Sequence, residues 1–231
     1  MPTNFGVSLS AAFQKYGQLC VGIDPHSQLL ADWGLEDNAA GLEKFSNLVL
    51  DAAVGNVGVI KPQVSFFERH GSAGFAILER LAERAASTDL VVIMDAKRGD
   101  IGTTMSAYFD AWLGQNAPFV CDALTVSPYL GFDSLSETMA GCLERGKGLF
   151  VLSATSNPEG AKVQRATNSG QTIAAQIWES LQKINKVTAA PNAVLGSFGA
   201  VLGATLNLAN FGLQSIQVEA SAAGTPILAP G

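Results

Sequence analysis

Short apolar runs alternate along the chain with longer stretches in which apolar residues recur every three or four positions. The apolar runs are L-C-V-G-I-D (19–24), V-G-V-I-K-P (57–62), L-V-V-I-M-D (90–95), V-C-D-A-L-T-V-S (120–127), G-L-F-V-L-S-A (148–154), G-S-F-G-A-V-L-G-A (196–204) and T-P-I-L-A-P-G (225–231). Near-continuous runs of this length suit parallel strands covered on both faces by helices, because such strands need no polar side. Helical candidates lie between them. In 37–53 the positions Leu42, Phe45, Leu48, Val49 and Ala52 keep helical spacing, and in 74–86 Phe75, Leu78, Leu81, Ala82 and Ala85 do so. The stretches 102–115, 133–145, 170–187 and 207–223 fill the remaining gaps. A strand-then-helix rhythm with seven strand candidates predicts an α/β fold of the (β/α)8 TIM-barrel class, with an open doubly wound sheet as the alternative.

At 231 residues and 48% hydrophobic content the chain has the size and core for a single barrel domain over 1–231. The seventh strand candidate runs to Gly231, so the eighth strand of a closed barrel has no sequence here. The expectation is a domain that is C-terminally truncated or whose last part lies beyond the given chain. A net charge of −6 argues against nucleic acid, whose phosphates call for a basic surface. It leaves room for one phosphorylated small molecule, which needs only a few local donors. The apolar stretches are too short to span a membrane, and the start M-P-T-N-F-G-V-S-L-S lacks the basic residues and apolar core of a signal peptide. A soluble cytoplasmic protein is expected. Cys20, Cys121 and Cys142 form no C-x-x-C pair and are expected to be buried free thiols.

Several strand candidates finish on a charged residue: Asp24 after the first, Lys61 in the second, Asp95 in the third with Lys97 two residues on. In a barrel the C-terminal strand ends gather on one face, where catalytic groups sit. Asp95 and Lys97 share one side of an extended segment by simple alternation. Asp100 falls where the next helix begins and could cap its free N–H groups. Taken alone, D-A-K-R-G-D is a solvated turn with ordinary surface charge. That alternative weakens when three strand ends bring complementary charges together. A carboxylate and an ammonium within ~4 Å attract by ~4 kcal/mol at an effective dielectric of about 20. These residues define a lysine–carboxylate site, without yet a reaction.

The other polar candidates carry less. His26 and His70 lack any Cys, Asp or Glu spacing for a metal and are expected to be structural, with His26 beside Asp24. Ser127 and Tyr129 have no histidine partner and are expected to pack a loop. Arg98 is expected to point away from Lys97 into a salt bridge or dimer contact.

The string D-A-K-R-G-D-I-G-T-T (95–104) resembles the D-x-K-x-x-D-I-x-x-T signature of orotidine 5′-phosphate decarboxylases. L-C-V-G-I-D-P-H (19–26), V-I-K-P-Q-V-S-F-F-E (59–68), S-P-Y-L-G-F (127–132) and A-T-S-N-P-E-G (154–160) are similar to the long bacterial, mycobacterial-like branch of that family, in the same order. The resemblance implies that Lys61, Asp95, Lys97 and Asp100 form the family's Lys-Asp-Lys-Asp network. Asp95 would lie against the substrate carboxylate, and Lys97 would protonate C6 after CO2 leaves. Lys61 would hold Asp95 and the ribose hydroxyls. Asp24 would bind a ribose hydroxyl and Ser156 would meet the pyrimidine edge. Asp100, Ile101 and Thr104 would enter the neighbouring subunit's site in a homodimer. The reaction so implied, orotidine 5′-phosphate to UMP and CO2, needs neither metal nor organic cofactor.

The family grips the substrate phosphate with groups after the seventh strand and with an arginine at the eighth; Pro230 and Gly231 would only begin that loop. A chain ending at Gly231 is therefore expected to bind substrate weakly. The nearest alternative is a magnesium-dependent 3-keto sugar phosphate decarboxylase or aldolase of the same superfamily. Such enzymes share D-x-K-x-x-D but carry a glutamate near the end of strand two, where this chain has Lys61. A non-catalytic nucleotide-binding barrel is the alternative from another class, and the complete Lys-Asp-Lys-Asp set argues against it.

Overall fold

A computed structural model describes residues 4–213 and 223–231. In chain order the elements are α1 (Phe5–Tyr16), β1 (Cys20–Ile23), α2 (Ser27–Asp32), α3 (Ala39–Ala53), β2 (Val59–Pro62), α4 (Val64–Glu68), α5 (Gly71–Ala86), β3 (Val91–Arg98), α6 (Gly102–Trp112) and β4 (Ala123–Val126). They continue with α7 (Ser136–Arg145), β5 (Gly148–Ala154), α8 (Ala161–Gln164), a ribbon of β6 (Thr167–Asn168) and β7 (Gln171–Thr172), α9 (Ile173–Thr188), β8 (Phe198–Leu202) and β9 (Ile227–Leu228). All seven anticipated strands form, most of them trimmed at their ends. Helices α1, α2, α4 and α8 and the β6–β7 ribbon were not anticipated. Of the helix expected over 207–223, Leu208–Phe211 is a short 3-10 turn, and 214–222 lies outside the described residues.

The chain divides into two compact units. One comprises Ser8–Ala96 and Tyr108–Leu124. In it β1, β2 and β3 are neighbours and parallel, with Gly22 opposite Lys61, Val59 opposite Val91 and Ile60 opposite Val92. Entry into β4 is pinned by Asp122. Its N–H donates to the Val92 carbonyl and its Oδ2 accepts from the Val92 N–H, each at 2.9 Å. Val59, Ile60 and Val91 to Met94 are buried, as the all-apolar pattern requires, and α5 buries Leu78, Leu81, Ala82 and Ala85. Helix α3 corrects its sequence-predicted stripe. It buries Gly41, Leu42, Phe45, Ser46, Leu50 and Ala53, while Leu48 is 45% exposed and Ala52 lies on the open side. Gly41 and Ser46 belong to the packed face, Gly41 because a Cβ there would run into the Glu36 carbonyl, and a count of large apolar residues overlooks both.

Among the described residues the other unit comprises 4–7, Lys97–Ala107, 125–213 and 223–231. Here β5, β8 and β9 are successive parallel neighbours, with Leu149 opposite Phe198 and Ala200 opposite Ile227. The Phe5 ring meets Phe150 edge-on, with centroids 6.1 Å apart, and a Cβ at Gly148 would lie 2.4 Å from that ring. Helix α9 buries Ala174, Ala175, Ile177, Trp178, Leu181 and Asn185. The Asn185 amide donates to the Phe198 carbonyl at 2.7 Å and to Thr225 Oγ1 at 3.1 Å, and its Oδ1 accepts from the Phe198 N–H at 3.1 Å. One buried side chain thus ties α9 to β8 and to the approach to β9. Asn185→Ala strands those backbone groups without their partner and lowers the unfolding free energy by about 2 kcal/mol. Urea denaturation checks this; a loss under about 0.5 kcal/mol contradicts it.

Candidate active site

Parallel pairing sets the first half of the site. Because Gly22 stands opposite Lys61 and Ile23 opposite Pro62, the ends of β1 and β2 come level, and Asp24 emerges beside Lys61. Gln63 bridges to Asp95 in parallel, which brings the end of β2 against β3. The Lys61 ammonium donates to Asp95 Oδ2 at 2.9 Å. Their side chains are only 12% and 9% exposed, so this is a buried ion pair rather than a surface one. The Gln63 amide donates to the Asp95 carbonyl at 3.1 Å and holds the backbone behind the carboxylate.

The electrostatics follow from that packing. Burial by itself disfavours the Lys61 ammonium, but the Asp95 and Asp24 carboxylates and the hydrogen bond to Asp95 outweigh it, so its pKa stands above the ordinary 10.5. The neighbouring Cys20 thiol is pushed up to about 11, by burial first and then by the two carboxylates, against the pull of Lys61. Cys20 therefore stays a neutral thiol. It is half-buried, unlike Cys121 and Cys142, which corrects the expectation that all three are buried.

The remaining candidates lie in the other unit. Lys97, exposed at the end of β3, has φ +50°, so the backbone is not extended there. Simple alternation from Asp95 therefore does not fix the direction of the Lys97 side chain. Asp100 Oδ1 accepts from the N–H of the next residue, Ile101, at 2.8 Å, one residue ahead of α6, which is not the bond to a helix N–H that capping calls for. Ile101 is 60% exposed, and Thr104 is exposed on the first turn of α6. Ser156 follows β5 and is exposed. A Cβ on Gly203 would lie 3.1 Å from the Ser156 nitrogen, and the Ala204 N–H donates to the Pro230 carbonyl at 2.8 Å. Ser156 and Pro230 thus border the same turn after β8.

Each unit gathers its own set: Asp24, Lys61 and Asp95 in one; Lys97, Asp100, Ile101, Thr104, Ser156 and Pro230 in the other. Two polar residues escaped sequence reasoning. Gln63 directly follows V-I-K-P, and Thr125, one of the few hydroxyls inside the β4 run, accepts from the Lys97 N–H at 2.9 Å. A polar residue within an all-apolar strand was the available signal for Thr125. His26 is structural as expected, its Nδ1 accepting from the Leu29 N–H at the start of α2 at 3.2 Å. Tyr129, expected to pack a loop, is instead 79% exposed.

Parallel βα units with charged residues at their strand ends define an α/β lysine–carboxylate enzyme. Residues 17–225 match the model of the "Orotidine 5'-phosphate decarboxylase / HUMPS family", and the chain belongs to that family. It is 49% identical over 229 residues to orotidine 5′-phosphate decarboxylase of Streptomyces coelicolor, covering 98% of this chain and 78% of that protein. A crystal structure from Streptomyces avermitilis assigned to the same enzyme superposes with a TM-score of 0.90 at 50% identity, covering 100% of this chain and 78% of that one. The OMP decarboxylase of Leishmania donovani gives 0.72 at 28% identity, covering 99% and 80%. The fold is accordingly of the (β/α)8-barrel class, with seven parallel sheet strands among the described residues.

Removing one partner of the Lys61–Asp95 pair leaves a buried charge without compensation. Lys61→Met is expected to lower the unfolding free energy by about 3–5 kcal/mol, and the double change Lys61→Met, Asp95→Leu to recover more than half of that. Urea titration of the variants decides; a single-variant loss below about 1 kcal/mol contradicts the buried pair.

Proposed function

We propose that the chain decarboxylates orotidine 5′-phosphate to UMP and CO2 through Lys61, Asp95, Lys97 and Asp100, with Lys97 protonating C6. The observation that carries this reading is the buried Lys61–Asp95 pair at 2.9 Å, with Lys97 two residues further along the same strand. Loss of CO2 from the pyrimidine leaves an electron pair on an sp2 carbon with no enol or imine to receive it. A preset ammonium stabilises that charge as it develops and then supplies the proton. Lys97 takes this role. Asp95, held by Lys61 and Gln63, lies against the substrate carboxylate and disfavours the ground state as the carboxylate is desolvated.

Lys61 keeps Asp95 fixed and reaches the ribose hydroxyls together with Asp24. Ser156 meets the pyrimidine edge, and Pro230 opens the segment nearest the phosphate. Binding of the remote phosphate positions the ring for reaction. The exposure of Ile101 and Thr104 supports a homodimer in which Asp100, Ile101 and Thr104 complete the partner's site. Among the described residues no helix is long and apolar enough to cross a membrane. The substrate and product are charged small molecules, which fits a cytoplasmic place of action.

The absorbance change as orotidylate becomes uridylate measures turnover directly. Lys97→Ala is expected to lower kcat by at least about 100-fold while UMP still binds. Wild-type turnover by Lys97→Ala contradicts the reading. Loss of wild-type activity on chelation of divalent cations points instead to the magnesium-dependent siblings.

A further inference from the structure

We propose that Thr125 is a positioning residue that holds Lys97 in its reactive direction; this rests on the proposed role of Lys97. Among the described residues three non-glycine residues have positive φ: Lys97 at +50°, Ser169 at +52° and Asn192 at +61°. Ser169 sits in the two-residue turn of the β6–β7 ribbon, where such angles are the rule, and asparagine tolerates them. Lys97 alone of the three lies within a strand of the main sheet. A lysine has no intrinsic reason to adopt this conformation, because its Cβ crowds the following carbonyl there. Such angles persist only where the surroundings over-determine them.

The surroundings that do so come from β4. Thr125, only 1% exposed, receives the Lys97 N–H on Oγ1 at 2.9 Å. One residue on, the Ser127 N–H donates to the Arg98 carbonyl at 2.7 Å. Next, a Cβ on Gly99 would stand 2.4 Å from the Ser127 carbonyl oxygen, so only glycine lets the chain lie this close. Three consecutive residues, Lys97 to Gly99, are therefore held against Thr125 to Ser127. The contact at Lys97 is made by a side chain, whereas that at Arg98 is made by backbone. It follows that mutation can remove the former without removing the strand pairing. An isosteric replacement lacking the hydroxyl takes this acceptor from the Lys97 N–H, φ relaxes toward the ordinary regions, and the ammonium swings with it. Misplacement of a catalytic group by about 1 Å costs on the order of 100-fold in rate.

Steady-state decarboxylation of orotidine 5′-phosphate by Thr125→Val, Thr125→Ser and Lys97→Ala tests this, with UMP affinity and thermal unfolding measured alongside. The expected result for Thr125→Val is a kcat lowered about 10- to 100-fold with KM and UMP affinity within about threefold. Thr125→Ser, which keeps the hydroxyl, stays within about threefold of the original kcat. Should Thr125→Val not fold, Thr125→Ala supplies the same comparison. A kcat for Thr125→Val within threefold of the original, or equal slowing by Thr125→Ser, overturns the inference. So does a change confined to KM. An inactive Lys97→Ala beside an unimpaired Thr125→Val rejects the positioning role alone. Full turnover by Lys97→Ala rejects the role of Lys97 itself, and the inference with it.

Discussion

A buried ion pair is the constraint on which the site depends. Lys61 and Asp95 meet at 2.9 Å on neighbouring parallel strands, both nearly withdrawn from water. Taking two charges out of water costs several kcal/mol per ion, and their attraction repays this only when the geometry is good. Replacing such a pair by apolar residues of similar volume is often neutral for stability or better. Retention of the charged pair is therefore better explained by what it holds in place than by stability. Lys61 holds the Asp95 carboxylate and Gln63 holds its backbone carbonyl, which keeps the carboxylate in place for the role proposed for it. The surrounding scaffold is arranged to make that possible. Gly22 opposite Lys61 brings Asp24 level with the pair, and the second carboxylate helps keep Lys61 charged despite its burial.

The same strand then changes character within two residues. Up to Asp95 it is buried and regular; at Lys97 it enters the left-handed region and emerges into solvent. One strand thus delivers a fixed, buried carboxylate and an exposed ammonium whose direction is set by its backbone. In the reaction proposed, Asp95 is the group that must not move and Lys97 the one that delivers a proton. Preorganised charge of this kind needs no rearrangement at the moment of reaction.

Much of this was legible in the residues. The strand pattern survives because buried parallel strands leave a strong signature, and the gathering of charge follows from where V-G-V-I-K-P and L-V-V-I-M-D are interrupted, although the particular Lys61–Asp95 pairing was implied by the resemblance. What was not legible has physical causes. The packed face of α3 runs through Gly41 and Ser46, which a search for large apolar residues passes over. Helix α1 begins at Phe5 behind Asn4, whose Oδ1 accepts from the Gly6 N–H at 3.0 Å, a cap signal that the apolar pattern passes over. The direction of Lys97 depends on a backbone angle that alternation cannot foresee, because it is imposed by Thr125 from the next strand. The roles of Asp100, Ile101 and Thr104 toward a partner rested on resemblance, since nothing in their spacing distinguishes them from a helix start.

The state of Lys61 carries the central claim. Its pKa is raised on folding, so its stabilising contribution is complete below pH 10.5 and is lost only as the pH passes the higher folded-state value. An isotope-labelled Lys61 side chain followed by NMR through alkaline titration of the folded protein reports this directly. The account predicts a midpoint above the ordinary 10.5, moving down when Asp95 is replaced by Asn. A midpoint below 10.5 would mean that burial outweighs the carboxylates, and would contradict an ammonium stabilised by Asp95 and Asp24.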